Sequence, residues 1–346
     1  MALALIELLG GIALAFATLR DVFDTVVVPG GSRATLRVAR RSVRLMLPLW
    51  KRLRGRQGIS TMFAPTMLVA SFAIWMLLLA VAFGLMAQGL NTSFDPPLRS
   101  FGEAVYTVGS SLVTVGLSGT KATGGARWIV LAAGFCGLAV MTMAVTYLLE
   151  VQSSLARRDS AILKLSTSAG DPPSAIALLE KFAAIRNQHG LAGVLEDGRD
   201  WCAFVLQSHS AHPSLVYFRS GGTGAGWPAA LGALLDLALL VEHCLDLPEL
   251  HGRAVLLRED GTRTAEALIA LLRLDPPAAV EAGAFEQVRS RLAAAGYKAR
   301  PAGECRDAAA MRDRLARLPQ ALADHLGKPN APLIPDRGAR QGGGSG

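Results

Sequence analysis

Thr114-Val115-Gly116-Leu117-Ser118-Gly119 is the stretch that decides how this 346-residue chain is read. It lies in a short polar segment between two long runs that carry no formal charge, Gln57 to Phe94 and Trp128 to Leu149. Each run exceeds the ~20 apolar residues that cross a hydrocarbon core. A glycine-containing loop between two such spans is irregular backbone at membrane depth. Backbone of that kind persists only where protein buries it or where it lines a wet cavity.

The flanks of the loop fit this arrangement. Ser100-x-x-Glu103 has capping-box spacing, which starts a short helix and sets Glu103 at the favourable end of its dipole. The expected order is an outer helix over Thr61 to Leu90, a turret at Asn91–Pro97, the short helix, the loop, and an inner helix between Arg127 and Glu150. The inner helix holds about 22 uncharged residues, which at 1.5 Å each match the hydrocarbon thickness. Thr142, Val145, Thr146 and Leu149 on its far half are candidates for a cavity wall or a hydrophobic gate.

Net charge is +8, and ten basic side chains between Arg20 and Arg56, against Asp21 and Asp24, account for all of it. A basic excess confined to one loop marks the cytoplasmic side of a membrane protein. At 100° per residue, the cations of residues 33–54 share one broad face, opposite Leu36, Val43, Leu47 and Trp50. This predicts an interfacial helix whose partners, along Arg33–Arg56, are anionic headgroups. No nucleic-acid-binding module accompanies these charges, so nucleic acid is not an expected partner. Residues 1–19 are apolar except for Glu7 and lack a basic leading region, so they read as a first transmembrane helix rather than a signal peptide.

Phe101 to Val113 followed by Thr114-Val115-Gly116 resembles the pore helix and filter of bacterial two-transmembrane potassium channels. In that family an Ala-x-Tyr segment precedes the filter, and here Tyr106 precedes Thr114 by eight residues. The resemblance covers roughly residues 62–150. It implies a homotetramer in the bacterial cytoplasmic (inner) membrane, K+ bound along Thr114, Val115, Gly116, Leu117 and Ser118, and no organic cofactor. The sequence departs from the family pattern at Leu117, where Tyr is usual, and at Ser118, where a second Gly is usual. Gly119 stands where an Asp often follows, or is itself the second Gly after a one-residue insertion. Lys121 adds a cation near the mouth. These departures leave open a non-selective cation channel and a non-conducting, channel-like receptor. Gly137 falls where related channels carry a gating glycine; close helix packing is the other reading of Gly134 and Gly137.

The remaining organisation follows. Residues 1–28 form the N-terminal span, 29–60 the basic segment, 61–150 the pore domain, 151–170 a helical linker and 171–327 a mostly helical cytoplasmic domain. Residues 328–346 form a disordered tail ending in a Gly-Ser linker. Asp171-Pro172-Pro173 marks the boundary. Within the domain, Leu215–Phe218 and Ala254–Leu257 read as extended, and Gly221–Gly226 as a flexible loop outside the dinucleotide-binding register. Tyr217-Phe218-Arg219-Ser220 and Trp227 to Leu231 resemble the cytoplasmic region of the same bacterial channel homologues. Ser208-His209-Ser210-Ala211-His212 reads as a helix end rather than a metal or catalytic site. The four cysteines show no C-x-x-C spacing, and reduced thiols are expected. Gly116-Leu117-Ser118-Gly119 also matches the G-x-S-G signature of intramembrane serine proteases. The first histidine, His189, lies beyond the last span, so Ser118 has no base and no catalytic residue is expected.

Overall fold

The computed structural model describes residues 2–28, 57–116, 119–278, 285–300 and 302–335, with side chains left aside at 57–63 and 302–307. The basic helix expected over 33–54, Leu117 and Ser118 of the expected filter, and the Gly-Ser tail lie outside the described residues. The chain divides into two compact units, Met1–Gln152 and Ser153–Gly346.

In the first unit, α1 (Ala2–Val26) packs along α2 (Gln57–Gly89). The approach is close because glycines face backbone. A Cβ on Gly11 would come within 2.6 Å of the Ala82 carbonyl oxygen, and one on Gly89 within 2.6 Å of that of Ala4. Small residues at a crossing are how apolar helices gain contact where no water is expelled. Asp21 is fully buried there and accepts a 2.9 Å hydrogen bond from the Trp75 indole Nε1. The chain then passes a 3-10 turn (Asn91–Ser93) into β1 (Phe94–Asp95), α3 (Phe101–Leu112), β2 (Lys121–Ala122) and α4 (Ala126–Ala169). Buried Ala126, Ala133, Gly137, Val140 and Tyr147 form one face of α4, while Trp128, Leu131, Phe135, Leu138 and Val145 stand exposed.

Among the described residues, four helical segments are long and apolar enough to cross a membrane, namely Ala2–Val26, Ala64–Gly89, Ala126–Ala169 and Trp227–Cys244. The first three leave most of their apolar surface exposed, whereas the fourth is 94% buried within the protein. A helix apolar on all sides is either a span or the centre of a core. With its mostly helical content, the chain is a multi-pass membrane protein carrying a second, helical unit.

That second unit is built around α7 (Trp227–Leu239), every residue of which is buried. Pro228 in its first turn needs no amide partner, and a π-helical turn (Leu240–Cys244) ends the run. Around it lie the end of α4, α5 (Ala175–Ala184), α6 (Gly190–Ala211), α8 (Pro248–Leu272), α9 (Phe285–Ala294), α10 (Ala302–Leu315) and α11 (Arg317–Leu326). Residues 153–169, read from sequence as part of a linker, contribute Ile162 and Ala169 to this core.

Two extended segments expected here are not strands. Leu215–Phe218 falls on a 3-10 turn (Pro213–Tyr217), and Ala254–Leu257 lies inside α8. The buried set Leu250, Ala254, Leu257, Gly261, Thr264, Ala265 and Leu268 recurs at helical spacing. Packing of that stripe overrides the local cost of Gly252 and Gly261. A Cβ on Gly261 would approach Leu235 Cδ2 at 2.9 Å, so this glycine is where α8 meets α7. Inside the core, Arg312 donates from Nε and Nη2 to the two carboxylate oxygens of Asp236 at 2.8 and 3.1 Å. Cys244 is disulfide-bonded, which corrects the expectation of reduced thiols; Cys136 and Cys202 are free.

Candidate functional site

The hairpin between α2 and α4 is assembled locally. Ser100 caps α3, its Oγ accepting from the Glu103 amide at 3.2 Å, and the Glu103 carboxylate accepts in return from the Arg99 amide at 2.7 Å. One orphan amide of the helix and the amide just before its cap are satisfied in this way, and the acid sits at the positive end of the helix. Below, β1 and β2 close the hairpin in antiparallel register, Phe94 opposite Ala122 and Asp95 opposite Lys121. The Thr123 amide and hydroxyl both donate to the Ser93 carbonyl at 2.8 Å. Lys121 is therefore set across from an acid, which offsets the charge that the sequence places near the mouth.

Where α3 ends, the backbone changes hand. Thr114 has φ 61° and Gly116 φ 68°, with Val115 outside the left-handed region between them. A β-branched residue at positive φ is an outlier that costs about 1–3 kcal/mol and persists only where its surroundings impose it. Here the imposing group is the Ser110 carbonyl, which accepts from the amides of both Val115 (2.9 Å) and Gly116 (3.0 Å). The Thr114 amide donates to the Ser111 carbonyl at 2.9 Å. In a trans peptide the carbonyl opposes the following amide, so the carbonyls of Thr114 and Val115 point away from the end of α3. Among the described residues no backbone amide donates to the carbonyls of Thr114 or Val115. Thr114, Val115 and Gly116 are exposed, Val115 by 57%.

Gly137 is not at a break in α4, which runs unbroken for 44 residues. It lies against the last turn of α3, and a Cβ there would overlap the Leu112 carbonyl. Gly134, one turn earlier, faces the Ser111 carbonyl at 3.4 Å from its would-be Cβ. The glycine pair thus makes a seat for the end of α3, immediately before Thr114. Thr142 and Thr146 lie on the exposed face of α4, where the Thr146 hydroxyl donates to the Thr142 carbonyl at 3.0 Å. Sequence reasoning singled out Thr114 to Gly116 but missed Ser110, whose role rests on its carbonyl and leaves no mark on residue type.

His209 is fully buried near the end of α6, its Nδ1 donating to the Val205 carbonyl at 2.8 Å and its ring 5.3 Å from that of Trp227. Burial, with the Arg158 cation nearby, pushes its pKa down to about 3. Among the described residues no three His, Cys, Asp or Glu side chains converge to hold a metal. The glycine loop read as flexible is pinned: Asp159 accepts from the Gly221 amide at 2.8 Å, and Asp171 accepts from the amides of Gly224 (2.6 Å) and Ala225 (3.0 Å). Carboxylates of the chain itself thus occupy amides that could otherwise bind phosphate. Arg158, 1% exposed, donates to the carbonyls of Leu215 and Phe218 at 3.1 Å and so fixes the entry to this loop.

Comparison with protein-family models, curated proteins and solved structures yields no match to this chain.

Proposed function

We propose that this chain is one subunit of a homotetrameric cation channel that conducts potassium through the loop at Thr114–Ser118. The reading rests on one observation, the left-handed Thr114 and Gly116 whose amide neighbours are tied to the Ser110 carbonyl. Strain of about 1–3 kcal/mol at a β-branched residue has a purpose if it lines up carbonyls toward an ion. One chain supplies one such strand of carbonyls, and a coordinating ring needs copies about a symmetry axis. The exposed apolar face of α4 provides area for contact with those copies or with lipid.

In this mechanism the carbonyls of Thr114 to Leu117 and the Thr114 hydroxyl replace water around the ion. The negative end of the α3 dipole favours a cation just below them. In this reading the chain crosses three times, with the C-terminal unit on the side of the basic segment 33–56, and that basic charge supports the cytoplasmic side of a bacterial inner membrane.

Purified protein in planar bilayers under opposed potassium and sodium gradients tests the proposal. A reversal potential near that of potassium is expected. Reversal near zero would replace it with a non-selective cation channel, and intact oligomers without current would leave a channel-like receptor.

A further inference from the structure

The second unit contains a cavity of about 490 Å³, walled by the end of α4, by α5 and α6, and floored by α7. Its size is that of a site for one small molecule. Ile162, Leu165, Phe182, Trp201, Phe204 and Leu234 supply its apolar surface, three of them aromatic. Two of the polar groups in the wall are engaged within the protein, with Ser168 the remaining hydroxyl. The Trp201 indole Nε1 donates to the Arg158 carbonyl at 3.2 Å, and the Ser160 hydroxyl donates to the Arg157 carbonyl at 3.0 Å.

At the mouth the charges offset one another. Lys164 from α4 is ion-paired with Asp197 from α6, and both are largely exposed. The Arg157 guanidinium lies 4.5 Å from the centre of the Phe204 ring, and Asp200 adds a second acid. Two cations thus stand against two carboxylates, giving no net charge for an ionic ligand to answer. A charged group drawn past these residues onto Ile162, Leu165, Phe182 and Leu234 would lose its hydration against apolar surface. Cavities lined mainly by apolar side chains hold apolar molecules in preference to water.

We propose that this cavity is a binding site for a small, uncharged, largely aromatic molecule. The site is composed of residues of the second unit alone, so it stands whether or not the chain conducts ions. Because Ala161, Ile162 and Leu165 belong to the last turns of α4, occupancy would fill the gap between that helix and α6.

The test uses the full chain in lipid nanodiscs, labelled with 5-fluorotryptophan, with the Trp201 fluorine resonance assigned through Trp201→Phe. Titration with 1-naphthol should shift the Trp201 signal saturably, while Trp75 and Trp128 in the spanning helices report partition into lipid. The charged analogues 1-naphthoate and 1-naphthylmethylammonium should bind at least about tenfold more weakly. Ala161→Phe and Val194→Phe fill the cavity from opposite walls, and each should weaken the 1-naphthol response at least about tenfold. A Trp201 signal that does not saturate, an equal response to either charged analogue, or an undiminished response in either folded variant would overturn the proposal. The wild-type series with three probes decides the matter even if both variants fail to fold.

Discussion

Gly137→Ala separates two accounts of the same residue by the sign of its effect. If Gly137 serves as a hinge, alanine stiffens α4 and stabilises the helix by about 1 kcal/mol. The packing found here demands the opposite, because the new Cβ would overlap the Leu112 carbonyl. That atom is backbone at the end of α3 and cannot rotate aside as a side chain would. Forcing a methyl into such a contact costs typically ~1–3 kcal/mol, which equals or exceeds the helical gain. Gly134→Ala is the internal control, since its Cβ would stand 3.4 Å from the Ser111 carbonyl oxygen, an ordinary contact. Both substitutions carry the same change in helix propensity, so the difference between them isolates packing. Thermal unfolding in detergent micelles, followed by tryptophan fluorescence, should find Gly137→Ala less stable than Gly134→Ala by about 1–3 kcal/mol. Potassium flux from liposomes should fall only in the former, as the displaced α3 end carries Thr114 with it. Equal stability of the two variants, or a more stable Gly137→Ala, would refute the packing account and restore the hinge.

Gly116→Ala meets no atom within 4 Å and costs only the left-handed geometry, roughly 1–2 kcal/mol, so the protein should fold while liposome flux is lost. Unchanged flux would show that this loop is not the pathway. Trp75→Phe removes the indole donor from the buried Asp21 carboxylate and should lower stability to unfolding by about 1–3 kcal/mol. Arg312→Met strands the buried Asp236 carboxylate without its cation and should cost ~3–5 kcal/mol in urea unfolding of the second unit. His209 has a pKa of about 3 in the fold against about 6.5 when unfolded, so only the unfolded chain takes up its proton between those values. Its contribution is complete above the unfolded pKa and is lost as the pH falls through that window, roughly 2 kcal/mol by pH 5. Urea midpoints at pH 7.5 and 5 should diverge less for His209→Gln than for the wild type.

Much of the first unit was legible because its signals are local. Charge-free runs, the Ser100–Glu103 spacing and the Pro-Pro turret each depend on residues close in sequence, and the elements form where those signals lie. The second unit was less so. Ala254–Leu257 looks extended within a window of four residues; only the stripe from Leu250 to Leu268 reveals a helix. The glycine loop is held by Asp159 and Asp171, more than fifty residues upstream, so no local pattern predicts its order. In the candidate site, residue types pointed to Thr114 and Gly116, but the acceptor that shapes them is a peptide oxygen, for which any side chain would serve.

The burial of α7 bears on how the chain is made. As it leaves the ribosome, Trp227–Cys244 is long and apolar enough for a span, though its mean hydropathy of 1.3 is below the 2.1 to 2.5 of the other three, and insertion machinery would meet it before α10 exists. Asp236 stands at its midpoint, and an aspartate at a helix centre costs about 2.5–3.5 kcal/mol on entering a bilayer. Its guanidinium partner, Arg312, is synthesised 76 residues later. Until then the unpaired Asp236, with Glu242 further along the same segment, penalises entry into lipid, where a fourth crossing would invert everything that follows.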